Sequence, residues 1–279
     1  MSSRGRPAAT CLAYGEGVAS SRRLRALITN DDGIDSRGLH ALAAIALDAG
    51  FEVVVAAPHE DASGVSASVK AIRAADGAVR LHRRELPGLP DVEAYAVEAH
   101  PAFIVHASGR GWLDPEPDIV LSGVNFGANV GRSVLHSGTV GAALTASLHG
   151  WRGLAVSLDS GWEIPERPHW DAVAHVLPQV LDVLLAADDG TVLSVNVPDR
   201  PAAELGALRE AKLTEIGMAT ITVRHHDEVD AAVLRATAGD LATEPDPESD
   251  IALLAAGHPT VTRLLSVADQ PGVLHAARV

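Results

Sequence analysis

The sequence has few of the residues that several classes of protein require. Its 279 residues include one cysteine, Cys11, which excludes a disulfide framework and a cysteine-based zinc site. Aromatic residues make up 3%, and 22 Lys+Arg stand against 36 Asp+Glu, for a net charge of −14. An acidic chain with few rings is poorly suited to nucleic-acid polymers, so we expect no such partner. No apolar run approaches the ~20 residues of a membrane helix, so no membrane partner is expected either.

Residues 1–23 are rich in Gly, Ser, Ala and Arg and show no sustained hydrophobic period. Charged residues and glycines leave no room for the apolar core of about 7–15 residues that a signal peptide needs. These residues are predicted to form a flexible extension outside the fold. The protein is accordingly expected in the cytoplasm.

From Leu24 onwards, apolar segments alternate with amphipathic ones. Strands are predicted at 24–29, 52–57, 118–121, 154–158 and 192–197, and helices at 36–49, 101–112, 138–149 and 170–187. This alternation is typical of an α/β fold whose parallel sheet is covered by helices on both faces. Residues 79–81 and 94–97 are possible extra strands. After residue 198 the alternation weakens, and possible strands at 221–223 and 261–265 are expected outside the main sheet.

Polar residues follow three of the predicted strands, and parallel sheets bind ligands at the carboxyl ends of their strands. They are Asn30, Asp31 and Asp32 after the first strand, Ser63 after the second, and Ser122, Asn125 and Asn129 after the third. Adjacent carboxylates at the end of a buried strand repel each other, and burial disfavours their charged forms. A hard divalent cation such as Mg²⁺ or Mn²⁺ removes this cost. The alternative is a solvated Asp-Gly turn, but the position at the end of a buried strand favours the metal site.

A glycine-rich segment, residues 122–131, precedes a second polar cluster, Ser137-Gly138-Thr139, which opens a predicted helix. The segment matches neither a P-loop nor a dinucleotide fingerprint. Free N–H groups at a helix start, together with two hydroxyls, form an anion site, and Ser137 can serve at the same time as the N-cap. A metal site beside an anion site predicts phosphate-ester hydrolysis.

Four segments together resemble the SurE family of survival-protein nucleotidases: TNDDGI at 29–34, APHEDASG at 57–64, SGVNFGANVG at 122–131 and SGTVGAA at 137–143. The resemblance implies a Rossmann-like three-layer sandwich over residues 24–198. It also implies a C-terminal extension over 199–279 that acts as an oligomerisation arm, giving a homodimer or homotetramer. The implied activity is metal-dependent hydrolysis of nucleoside 5′- and 3′-monophosphates, as in a 5′-nucleotidase or an acid-phosphatase-like phosphoric monoester hydrolase.

The resemblance also implies roles for individual residues, with one Mg²⁺ or Mn²⁺ as the cofactor. Asp31 and Asp32 become the catalytic residues; the implied metal ligands are Asp31, Asp32, Ser63 and Asn125, and the implied phosphate contacts are Asn129, Ser137, Gly138 and Thr139. The chain departs from the family at Ala99-His100-Pro101, where Gly-Thr-Pro is usual and where the loop is expected to shape the nucleoside side of the pocket.

Several other features offer alternatives. His100 and His136 are candidates for proton transfer near the site, and Phe126 could stack on a base or pack inward. His225-His226-Asp227 is a weaker metal candidate, because adjacent strand residues point to opposite faces. A phospho-acceptor receiver domain also has paired acids, although Ser122 stands where its acceptor should be. A catalytically silent relative that binds a nucleotide or a partner is the remaining alternative.

Overall fold

The structure is a computed structural model, and it describes residues 22–72, 77–161, 165–215, 219–225, 232–238, 245–267 and 269. Its strands are β1 (Arg25–Thr29), β2 (Glu52–Pro58), β3 (Leu81–Leu86), β4 (Leu89–Val97), β5 (Ile119–Phe126), β6 (Arg152–Asp159), β7 (Val192–Pro198), β8 (Arg209–Glu210), β9 (Ala219–His225), β10 (Ala232–Ala238) and β11 (Thr260–Leu264). Its α-helices are α1 (Arg37–Asp48), α2 (Pro101–Ala107), α3 (Gly138–Ser147), α4 (Trp170–Ala186) and α5 (Asp250–Ala255).

Nine of the strands form one sheet, in the order β3-β4-β2-β1-β5-β6-β7-β11-β8. The six strands from β4 to β7 run parallel to one another. At the edges, β3 is antiparallel to β4 and β11 is antiparallel to β7. The prediction of an α/β fold is therefore confirmed, with a parallel centre and antiparallel additions at both edges.

Helices cover both faces of this sheet. Alternate residues of β1 point to opposite faces, so Ala26 and Ile28 pack with α1 and α4 whereas Leu27 packs with α2 and α3. The near-continuous apolar character of the central strands follows from this two-sided burial. The result is three layers, with the carboxyl ends of the parallel strands together at one edge.

Two boundaries differ from the sequence-based prediction. The third predicted strand does not end at Leu121 but continues as β5 to Phe126, after an irregularity between Ser122 and Asn125. Gly123 has a φ of +136°, a backbone conformation that residues with a side chain rarely adopt. The glycine allows the strand to bend here, and pairing with β6 resumes after it. The helix predicted at 101–112 is α-helical only to Ala107 and continues as a wider turn to Trp112.

The prediction that residues 261–265 lie outside the main sheet is wrong. Residues 261–264 belong to β11 and pair with β7, with Val261 opposite Val195. The edge of β7 would otherwise leave its backbone groups unpaired, and β11 satisfies them. The prediction for 221–223 is confirmed, because β9 pairs with β10 in a separate two-stranded sheet.

The division of the chain at residues 23 and 198 stays a prediction. Within the described residues, no helix combines the length and the apolar character that crossing a membrane would take.

Candidate active site

Asp31 lies at the centre of the polar cluster, directly after β1. Its side chain is buried, and the Thr139 hydroxyl donates to its Oδ1. Burial raises the pKa of Asp31, with the charge of Asp61 adding to the effect, while the hydrogen bonds from Thr139 oppose the rise. The loop after β2 is tied to the same residue, because the backbone N–H of Ala62 donates to the Asp31 carbonyl over 2.7 Å.

Asp32 lies beside Asp31 but is held differently. Its Oδ2 is buried and has no hydrogen-bond partner among the residues that the structure describes. Burial is the main cause that raises the pKa of Asp32 to about 7, and the charges of Asp31 and Asp61 add to it. An unpaired carboxylate oxygen next to a second carboxylate is costly, and a bound cation would remove that cost. Asp31 and Asp32 are therefore the residues best suited to hold a metal here.

The start of α3 packs directly against the Asp31 carboxylate. A Cβ atom placed on Gly138 would lie 2.6 Å from Asp31 Oδ2, so only glycine fits without a shift. Ser137 is the N-cap, and its hydroxyl accepts from the Val140 N–H over 3.1 Å. The sequence interpretation of this segment as a helix start is confirmed. The Thr139 hydroxyl, however, is directed at Asp31 and lies 3.3 Å from Asn125 Oδ1.

Two asparagines extend the cluster towards β6 and β7. The Asn125 amide nitrogen donates to the carbonyls of Phe126 and Gly127, which turns its Oδ1 towards Thr139. The Asn129 side chain donates to the hydroxyl of Ser157 over 2.9 Å. Its backbone exchanges hydrogen bonds with the side-chain amide of Asn196, at 2.8 and 3.0 Å.

Ser63 lies in an exposed part of the loop after β2. Its hydroxyl and its N–H both donate to Asp61 Oδ1, at 2.6 and 2.7 Å. The Ala62 hydrogen bond to Asp31 holds this loop near the paired carboxylates, and the Asp61 charge therefore raises the pKa of both Asp31 and Asp32. The structure thus brings the loops after β1, β2 and β5 and the start of α3 to one edge of the sheet. In the described part of the chain, no group of three or more His, Cys, Asp or Glu residues is placed to hold a metal.

Sequence reasoning missed three residues that shape this cluster. Asp61 lies within the segment 57–64, but the sequence does not distinguish it from any other exposed acidic residue. Asn196 lies near the carboxyl end of the apolar strand β7, and a polar residue at that position could have been identified as a site candidate. Asp250 is buried, and its Oδ2 accepts from the Gly131 N–H over 2.6 Å, a contact between distant parts of the sequence.

The weaker candidates have different placements. Phe126 packs against Trp170 with 5.5 Å between ring centroids, and it is half-buried. His136 is exposed, and His100 lies beside a cavity next to the cluster. Of the segment His225-His226-Asp227, the last two residues lie outside the described residues.

The sheet order and this edge define an open α/β protein with a paired-carboxylate cleft, and comparison with known proteins gives its family. The model of the family described as "Survival protein SurE" matches residues 26–223. A protein named 5′-nucleotidase SurE from Stenotrophomonas maltophilia (strain R551-3) is 34% identical over 243 residues, which cover 86% of this chain and 88% of that protein. One named 5′-nucleotidase SurE 1 from Burkholderia lata is 35% identical over 247 residues, covering 86% and 90%.

A solved structure gives the same result. The crystal structure of the SurE protein from Aquifex aeolicus is similar with a TM-score of 0.73 and 25% identity, covering 90% of this chain and 97% of that one. The chain belongs to the SurE family. The receiver-domain alternative is therefore wrong, since it required a different family.

Proposed function

We propose that the chain is a metal-dependent phosphomonoesterase that hydrolyses nucleoside 5′- and 3′-monophosphates to nucleoside and phosphate. The observation that carries the proposal is a pair of adjacent carboxylates at the start of α3: Asp31 is buried and contacts Gly138 and Thr139, and Asp32 has a buried Oδ2 with no hydrogen-bond partner among the described residues. The relatives named 5′-nucleotidase SurE support the same activity. No observation favours the catalytically silent alternative.

The donor set fits one hard divalent cation, Mg²⁺ or Mn²⁺. Asp31 and Asp32 supply carboxylate oxygens, Asn125 an amide oxygen and Ser63 a hydroxyl, all of which are ligand types that such ions accept. The unpaired Oδ2 of Asp32 and the raised pKa values of both aspartates are the features that a cation would relieve. When bound, the ion would polarise the phosphoryl group and lower the pKa of an attacking water.

The protein's own residues would bind and orient the monoester. The N-terminus of α3 carries the positive end of the helix dipole, which suits a phosphate group near Ser137 and Gly138. Asn129 is held by Ser157 and Asn196, so a polar group on the far side of the cleft is fixed before substrate arrives. Thr139 would act mainly by keeping the Asp31 carboxylate in one orientation.

A phosphate-release screen tests this function. Purified protein should release phosphate from a panel of 5′- and 3′-nucleoside monophosphates with Mn²⁺ or Mg²⁺, and should release none with EDTA. Asp32→Asn should lower the rate by roughly 100-fold or more, because a misplaced reacting group alone can cost that much. Asp48→Asn, an exposed acid at the other end of α1, is the matched control. Equal, near-zero rates for wild type and Asp32→Asn with every metal would overturn the proposal and favour the silent alternative.

A homodimer or homotetramer is part of the same proposal. An open cavity of about 710 Å³ between α3 and β11 is lined mainly by apolar side chains. Leu135, Leu148 and Leu265 beside it are 69%, 67% and 88% exposed, which is a large apolar surface for a monomer to leave in water. Light scattering should give at least the dimer mass, and Leu148→Glu should shift the protein towards the monomer. A wild-type monomer mass would refute this part.

A further inference from the structure

A second cavity, of about 300 Å³, lies next to the paired-carboxylate cluster, where β2 and β4 end. Its lining includes the two loop residues that approach the cluster, Asp61 and Ser63. The other side of the cavity is formed by the segment around Lys70 and by the start of α2. A phosphomonoester bound at the cluster would therefore have room on this side for the group that carries its phosphate.

The size and lining of the cavity suit one small organic group. Ligand sites range from about 300 to 1,000 Å³, so this cavity is at the small end and fits a single nucleoside-sized group. Ala71, Ile72 and Ala99 supply an apolar wall, while Lys70 and His100 add polar atoms. A wall of this kind packs against a flat ring, and a few polar groups then fix its orientation.

His100 contributes a partly buried ring to this cavity. Its backbone is fixed, because its N–H donates to the Lys70 carbonyl over 3.0 Å and Pro101 begins α2 directly after it. Its ring nitrogen Nδ1 is buried and, in the described part of the chain, has no hydrogen-bond partner. Burial and the charge of Lys70 lower the pKa of His100, which keeps the ring neutral. Unpaired buried N–H groups are rarer than unpaired acceptors, so the proton belongs on Nε2.

We propose that this cavity binds the nucleoside of the substrate and that His100 Nε2 donates a hydrogen bond to an acceptor on that nucleoside. The inference rests on the proposed function, since it concerns the leaving group of the same reaction. It gives the altered loop Ala99-His100-Pro101 a role in choosing substrate.

The test compares substrates that share the phosphate and differ in what carries it. kcat/KM is measured for a nucleoside 5′-monophosphate, ribose 5-phosphate and p-nitrophenyl phosphate with wild type and His100→Ala. Loss of one hydrogen bond should lower the ratio of nucleotide to p-nitrophenyl phosphate efficiency roughly 2- to 12-fold, mainly through KM. If ribose 5-phosphate falls as well, the contact is to the ribose; if it does not, the contact is to the base. The free nucleoside should also inhibit competitively, with a Ki raised by the same factor.

Two further variants keep the proposal falsifiable. Ala71→Leu fills the cavity while keeping the His100 side chain and should lower the same ratio, which covers the case in which His100→Ala fails to fold. His175→Ala, an exposed histidine on α4, is the matched control. An equal loss for all three substrates, or no change in the ratio with either cavity variant, would overturn the proposal. If wild type hydrolyses no nucleotide, the proposed function fails instead, and calorimetry with the free nucleoside still tests the cavity.

Discussion

Replacing Asp32 by asparagine removes one of two adjacent charges and keeps the shape of the side chain. Folding raises the pKa of Asp32 from 3.8 to about 7, chiefly by burial. An acid with a raised pKa keeps its proton in the folded state at pH values where the unfolded chain has already lost it. The folded state then binds more protons, so the free energy of unfolding falls as pH rises from 3.8 to about 7 and is level above that.

The size of this effect follows from the two pKa values. One pH unit within the window is worth about 1.4 kcal/mol, so the full penalty at pH 8 is on the order of 4 kcal/mol. The asparagine side chain does not titrate in this range, so its burial does not lower the free energy of unfolding as pH rises. In EDTA, the Asp32→Asn variant should therefore be about 4 kcal/mol more stable than wild type at pH 8 and nearly equal to it at pH 4. Urea denaturation at each pH unit between 4 and 8 measures the difference.

The control and a metal titration make this result decisive. Asp48 is exposed, so Asp48→Asn should follow the wild-type curve within about 0.5 kcal/mol. Saturating Mn²⁺ at 100 times its dissociation constant should stabilise wild type at pH 8 by about 2.7 kcal/mol and the Asp32→Asn variant by much less. Curves for wild type and Asp32→Asn that stay parallel from pH 4 to 8 would refute the burial argument. Equal stabilisation of both by Mn²⁺ would refute the assignment of Asp32 as a ligand.

Two further variants probe the surroundings of the carboxylates. Gly138→Ala should gain about 1 kcal/mol of helix propensity and lose about 1–3 kcal/mol to the overlap with Asp31, a net loss of about 0–2 kcal/mol in stability, while kcat falls about 100-fold. Gly109→Ala makes a similar overlap, 2.3 Å from a histidine nitrogen at the opposite edge of the sheet, and should retain full kcat; equal losses would contradict this account. Asn196→Ala removes the acceptor of the Asn129 N–H and so loosens Asn129. Inhibition by inorganic phosphate should therefore weaken by roughly 5-fold or more. An unchanged inhibition constant would exclude Asn129 as a phosphate contact.

Much of the central fold could be predicted from local pattern. The apolar run before Asp31 and the helical spacing after it already specify a strand, a turn and a helix, because each element buries its own periodic face. The rule that ligands bind at the carboxyl ends of parallel strands then places Asp31, Ser63 and Asn125 at one edge. In the structure the Thr139 hydroxyl contacts both Asp31 and Asn125, and the Ala62 N–H joins the loop that carries Ser63 to Asp31.

The remaining features depend on pairings between distant segments. β11 joins β7 because the edge of β7 needs a partner, but nothing in residues 260–264 says which edge they will cover. The continuation of β5 past Gly123 depends on β6, which holds Asn125 opposite Ser157. The Thr139 hydroxyl was expected to face phosphate, and only the packing of α3 on β1 shows that it faces Asp31.

Asp250, which is buried, and Asp32, which is half-buried but has a buried Oδ2, differ in their hydrogen-bond partners. Asp250 is 1% exposed; its Oδ2 accepts from the Gly131 N–H, and its Oδ1 accepts from the hydroxyl and the N–H of Thr214. Those donors offset the cost of removing the carboxylate from water, so Asp250 connects the C-terminal segment to the glycine-rich loop and needs nothing more. Asp32 is also withdrawn from water, yet its Oδ2 has no donor within the described residues and its nearest charges are negative. A bound cation, as proposed above, would offset that cost, whereas Asp250 has no such need.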